Sequence, residues 1–137
     1  MSEVRGSCLC GAVRLTLVGP SQAGRLCHCG NCRKFAGTSP AAWAIARVAD
    51  LRVQGDEHVS RYDSGGGMRC FCVQCGSPVW FESKDHPEIV ALPHGVVDEG
   101  ALAPPEMHLW MSVNPPWCVV NDALPQHDTH PFGDPGS

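Results

Sequence analysis

The stretch CHCGNCRKFAG, Cys27 to Gly37, and the later stretch CFCVQCG, Cys70 to Gly76, carry cysteines in one rhythm, C-x-C-x-x-C. A shorter block, CLCG from Cys8 to Gly11, precedes both. These blocks hold eight of the nine cysteines, and Cys118 stands apart. An odd number of cysteines leaves one thiol over in any full set of disulfides. Nothing at the start of the chain has the apolar core of a signal peptide, so a reducing cytoplasm is the expected compartment. Clustered thiols in that setting point to metal rather than to disulfides.

The residues around each block suggest how the thiols divide. CLCG and CVQCG both end in glycine, which lets the chain turn tightly and aim backbone amides at the sulfurs. Two such knuckles supply the four thiolates of a closed structural zinc, and the expected ligands are Cys8, Cys10, Cys72 and Cys75. That site would tie the N-terminus to the middle of the chain and couple metal binding to folding. CHCGNCRK differs, because Arg33 and Lys34 follow its third cysteine and its glycine lies inside the loop. Cys27, Cys29 and Cys32 can hold a second zinc from one side with a coordination position open, the arrangement of a reactive site. The spacing is shared, but the expected roles are different.

The 137 residues are 43% hydrophobic and 18% charged, a globular composition that fits one domain. A formal net charge of -4 argues against a nucleic-acid partner, whose phosphates need many lysines and arginines. No apolar run approaches the length of a membrane span. Short runs with strand character fall at Val13 to Gly19, Trp43 to Val48, Pro78 to Lys84, Glu88 to Leu92 and Met107 to Val113. The only helical turn expected lies around NCRKFAG. The chain therefore reads as all-β with few short helical turns. The proline-rich segment after Leu124 is expected to be mostly disordered, with the domain over residues 4–128 and a flexible tail over 129–137.

The blocks GSCLCGAVRL, CHCGNCRKFAGT, YDSGGGMRCFCVQCGSPVWF and HLWMSVNPPW resemble, in order and spacing, the glutathione-dependent formaldehyde-activating enzyme family, which also contains centromere protein V. The resemblance covers nearly the whole chain, with seven cysteines matching in three blocks. It implies a β-tent fold, short antiparallel sheets around two zinc sites, and the same division of cysteines. It also implies a carbon–sulfur lyase of S-(hydroxymethyl)glutathione synthase type, with glutathione as co-substrate, formaldehyde as the aldehyde, and Cys27, Cys29 and Cys32 at the catalytic zinc.

Other residues carry two readings each. Arg33 and Lys34 either hold the carboxylates of a glutathione-like tripeptide or form a solvated pair on a short helix. His28 is a ligand, a proton carrier, or a ring turned away from its cysteine neighbours. His108 reads as a satisfied buried histidine, His94 as a weak functional candidate, and His58, His86, His127 and His130 as solvated. Cys70 is a core residue or a spare thiol, and Cys118 a core residue. Arg69 reads as packing, an internal salt bridge or a substrate contact. Ser64 to Gly67 reads as a mobile loop, and the four tryptophans as core or pocket wall. Two functions compete with the lyase. One is a non-catalytic zinc module that binds a protein partner. The other is a thiol redox enzyme similar to methionine sulfoxide reductase B, for which only Cys70 and Cys118 remain as nucleophiles.

Overall fold

A computed structural model describes residues 3–131 of the chain. Eleven strands form: β1 (Val4–Ser7), β2 (Arg14–Leu17), β3 (Ser21–Cys27), β4 (Ala41–Arg47), β5 (Leu51–Gln54), β6 (Val59–Asp63), β7 (Gly67–Cys72), β8 (Pro78–Ser83), β9 (Ile89–Pro93), β10 (Val97–Glu99) and β11 (Pro105–Leu109). Among the described residues the single α-helix is α1 (Gly30–Ala36). The fold is all-β. A four-stranded sheet runs β10-β1-β2-β5, and a seven-stranded sheet runs β11-β3-β4-β9-β8-β7-β6. All pairs but one are antiparallel; β11 lies parallel to β3. No helix among the described residues is long and apolar enough to cross a membrane.

The two-residue period of a strand gives the larger sheet two distinct faces. Ala44 and Ala46 of β4, Val90 and Leu92 of β9, and Cys70 of β7 turn toward Leu15 and Leu17 of the smaller sheet. Their alternates, Ala41, Trp43 and Ile45 of β4 with Ala91 of β9 and Phe81 of β8, turn to the opposite side and pack with Cys27, Cys29 and Cys32. One face therefore builds the main core, and the other builds the surroundings of the cysteine loop. Arg69 sits on β7 between Met68 and Cys70, which pack into the main core, so the same alternation sends its side chain to the cysteine loop.

All five expected strands form, but the last is shorter than expected. β11 stops at Leu109, because Trp110 takes a left-handed φ of 61° and the chain continues as a 3-10 turn over Met111–Val113. The Ser64 to Gly67 segment, expected as a loop, has defined turn geometry. It is the hydrogen-bonded turn joining β6 to β7, with the Ser64 amide donating to Gly67 O and the Lys84 amide donating to Gly66 O.

The segment after Leu124 is the larger correction. The His108 amide donates to Pro125 O at 2.8 Å, and the Met111 amide donates to His127 O at 2.9 Å. The Trp110 amide donates to Thr129 O, and His130, expected in solvent, is buried. The fold therefore continues past Asp128 to residue 130, while residues 132–137 of the expected tail lie outside the described residues. Composition misleads here because the segment docks through backbone carbonyls and amides, which proline-rich and polar residues supply as well as any others.

Candidate metal centres and active site

The first cluster is built by two turns. In the CLCG block, the Gly11 amide donates to Cys8 O and the Val13 amide to Cys8 Sγ, with Gly11 in the left-handed region at φ 80°. In the CVQCG block, the Gly76 amide donates to Cys72 O, with Gly76 at φ 78°. The Sγ atoms of Cys8, Cys10, Cys72 and Cys75 all lie within 4.8 Å of one another. Cys8 to Cys10 is 3.6 Å and Cys10 to Cys72 is 3.8 Å. Sulfurs about 2.3 Å from a zinc in a tetrahedron would be about 3.8 Å apart, so spacing and donor set fit a closed thiolate site. Hydrogen bonds from the Ser77 hydroxyl and amide draw the Cys75 thiol down to about 5, which favours the thiolate a metal needs.

The second cluster forms where β3 runs into α1. Cys29 caps the helix, its Sγ accepting from the Cys32 amide at 3.3 Å. Gly37 closes the helix in the left-handed region, with its amide on Arg33 O. Cys27, Cys29 and Cys32 are all buried, and their sulfurs lie within 4.8 Å of one another. Among the described residues no fourth histidine, cysteine or carboxylate joins this group. Three thiolates facing one point fit a soft metal with a position left open. Hydrogen bonds from Cys27 and Cys32 draw the Cys29 thiol down to about 3, and the Arg69 charge acts in the same direction.

A small pocket of about 70 Å³ lies beside Cys27 and Cys32. Trp43, Ile45, Phe81 and Leu109 line it, together with Arg25, Arg69 and His130. Arg69 is buried, with Nη1 3.6 Å from Cys32 Sγ and Nε donating to Ser64 Oγ at 3.1 Å. Its guanidinium lies over Phe81 at 4.7 Å from the ring centre. Arg25 Nη1 and His130 Nε2 are 3.1 Å apart. Arg33 is half-buried and Lys34 exposed on α1, and neither lines this pocket. Arg25 and His130 carried no sequence signal, because one sits in an ordinary strand and the other in a segment that reads as disordered.

Behind the cysteine loop runs a polar chain. His28, fully buried, has Nδ1 2.6 Å from Asn114 Oδ1 and Nε2 2.8 Å from His108 Nδ1. His108 Nε2 lies 2.9 Å from an Asp122 oxygen. Asn114 Nδ2 donates to Cys118 O, so its oxygen accepts from His28. Each of the three bonds to a histidine nitrogen needs a ring proton, and three protons on two imidazoles give the pair one positive charge. Burial pushes the His28 imidazole down. His28 is therefore turned away from the sulfurs and anchors its loop. His94 sits half-buried on a 3-10 turn away from this centre.

Cys70 is fully buried in the main core, and burial pushes its thiol up to about 12. Cys118, expected in the core, is only half-buried, and its neighbour Trp117 is 61% exposed. Both lie on a loop after the last strand, where no sheet covers them.

The His108 hydrogen bond, with help from the Leu124 amide, holds the Asp122 carboxyl below its ordinary 3.8. A carboxyl lowered by folding stabilises the fold above its unfolded pKa, and loses that effect as pH falls through the folded value. Asp122→Asn is therefore expected to melt below wild type at pH 7. The gap should narrow as pH is taken below about 4. Paired melting curves across pH check this, and a gap that does not change with pH would contradict it.

Residues 3–113 match the profile of the family described as glutathione-dependent formaldehyde-activating enzyme. A Halomonas elongata protein assigned by name to the same family is 37% identical over 126 residues, covering 85% of this chain and 80% of that one. A crystal structure of a Rhodobacter sphaeroides protein superposes with a TM-score of 0.60 at 29% identity, covering 70% of this chain and 89% of the other. The chain belongs to the glutathione-dependent formaldehyde-activating enzyme family.

Proposed function

We propose that this protein is a zinc-dependent carbon–sulfur lyase that joins a thiol such as glutathione to an aldehyde, as S-(hydroxymethyl)glutathione synthase does. The observation that carries this reading is the buried Cys27, Cys29 and Cys32 cluster, three-sided and opening on a pocket with two arginines. Cys8, Cys10, Cys72 and Cys75 would hold a structural zinc, and Cys27, Cys29 and Cys32 a second one. Bound there, zinc would lower the pKa of an incoming thiol and place positive charge beside an aldehyde oxygen.

The chain's own groups supply the rest. Arg69 offsets the charge of the thiolates beside it. Arg25, paired with His130, lines the pocket where a carboxylate of the thiol substrate can be met. Arg25 thus takes the role that was one of two readings for Arg33 and Lys34. His28, His108 and Asp122 hold the cysteine loop against the β11 segment. A pure protein-binding module has no use for a three-sided thiolate cluster at a pocket. A redox enzyme would need an accessible low-pKa thiol, and Cys70 is the opposite.

Calorimetry of the zinc-loaded protein with glutathione, and adduct formation with formaldehyde above the uncatalysed rate, test the reading. Arg25→Met should weaken glutathione more than a neutral thiol of similar size, by about 1–3 kcal/mol. Wild-type protein that binds no thiol and accelerates nothing would leave the protein-binding zinc module in its place.

A further inference from the structure

We infer that the pocket beside Cys27 and Cys32 is built for an aldehyde with an apolar alkyl or aryl body, whose oxygen Arg69 receives. The inference rests on the lyase reading. The pocket's walls come from one face of the larger sheet: Trp43 and Ile45 of β4, Phe81 of β8, Ile89 of β9 and Leu109 of β11. Formaldehyde has no carbon beyond the carbonyl to lay against such a wall, and glutathione is a charged tripeptide. Five large apolar side chains next to a thiolate cluster match neither. They match a hydrocarbon substituent on the carbonyl carbon, which loses its contact with water when it enters.

The second observation is Arg69. It is 2% exposed, lines the same pocket, and directs Nη1 at Cys32 and Nε at Ser64. Its guanidinium is held over the rings of Phe81 and Phe35, at 4.7 Å and 5.7 Å. Nη2 is buried and has no hydrogen-bond partner. A guanidinium cannot shed its charge, and a buried donor left unmet is costly, so the position calls for an incoming acceptor. Because Arg69 touches Cys32, the acceptor it meets is close to the sulfur chemistry, which favours the carbonyl oxygen over a distant carboxylate. In the reaction the thiol sulfur bonds to the carbonyl carbon, the π pair of C=O moves to oxygen beside Arg69, and the thiol proton ends on that oxygen. Nothing is oxidised or reduced. Charge develops where the fixed donor waits, which is the arrangement that accelerates addition to a carbonyl.

The test uses the zinc-loaded full chain, glutathione, and the series formaldehyde, ethanal, propanal, butanal and hexanal, with each rate divided by its uncatalysed counterpart. The normalised kcat/KM is expected to rise about fourfold per added methylene until the wall is filled. Phe81→Ala and Ile45→Ala should flatten that rise. Arg69→Lys keeps the charge but not the forked donor, and should lower kcat at least tenfold. Its glutathione affinity and metal content should match wild type, and its melt should stay cooperative at a lower temperature, because lysine loses the Ser64 hydrogen bond and the stacking on Phe81. Acceleration of formaldehyde with a flat or falling series would overturn the inference and leave the lyase reading standing. A rise that instead follows chain length in a thiol series with formaldehyde would overturn the assignment of the wall to the aldehyde. Full kcat in Arg69→Lys would overturn the role of Arg69. No thiol binding and no acceleration of any aldehyde would remove the lyase reading itself, and the inference with it.

Discussion

Cys72→Ser is expected to unfold the protein. Cys72 ends β7, is fully buried, and its sulfur faces that of Cys10, 62 residues earlier in the chain. The cluster it belongs to pins the CLCG turn against the turn between β7 and β8. Serine offers a hard, neutral oxygen in place of a soft thiolate, leaves three ligands where a closed site needs four, and buries a hydroxyl in the core. Structural zinc sites contribute about 10–16 kcal/mol of binding free energy to folding in small peptides, whereas a whole domain is stable by about 5–15 kcal/mol. Losing half of the former, about 5–8 kcal/mol, is comparable with the lower half of the latter. Thermal melting followed by circular dichroism, with metal counted on the same sample, should show a lost cooperative transition. An unchanged melt with unchanged metal content would show that this cluster does not hold the fold.

The cysteine clusters were legible in the sequence because ligand spacing and turn glycines are local signals. Cys8 and Cys10 could be matched to Cys72 and Cys75 from the residues that follow each pair, and the fold brings those four sulfurs together. The strands with clean alternation, such as the one containing Trp43 and Ile45, were equally readable, and the period also determines which side chains face the cysteine loop. What remained hidden depends on long-range placement. Arg25 and His130 meet across 105 residues, and Arg69 reaches Cys32 across 37. The His28–His108 contact depends on the parallel pairing of β3 with β11, which no local pattern encodes. The segment after Leu124 failed for a different reason. Its side chains say disorder, while its backbone finds partners on the β11 segment. Arg33 and Lys34 follow the cysteines on the short helix α1, and apart from Cys32 the residues lining the pocket come instead from the sheet and from the segment around His130.

Cys29→Ser should separate fold from function. The substitution removes one of the three thiolates of the proposed reactive site, and two soft ligands with an oxygen hold a metal weakly. The fold has independent reasons to survive. Cys29 is the N-cap of α1, its sulfur accepting from the Cys32 amide, and serine is among the best residues for that position. The loop is anchored separately by His28 on Asn114 and His108. The closed site at Cys8, Cys10, Cys72 and Cys75 shares no ligand with it. The variant is therefore expected to keep a cooperative melt within a few degrees of wild type, to lose one of two metal equivalents, and to show no calorimetric signal with glutathione. Adduct formation should fall by more than a hundredfold, about 2.7 kcal/mol or more, to near the uncatalysed rate. If Cys29→Ser binds glutathione as wild type does, the thiol site lies elsewhere and the three-cysteine cluster is structural. If it unfolds as Cys72→Ser does, the two clusters do not divide into one that holds the fold and one that performs the chemistry.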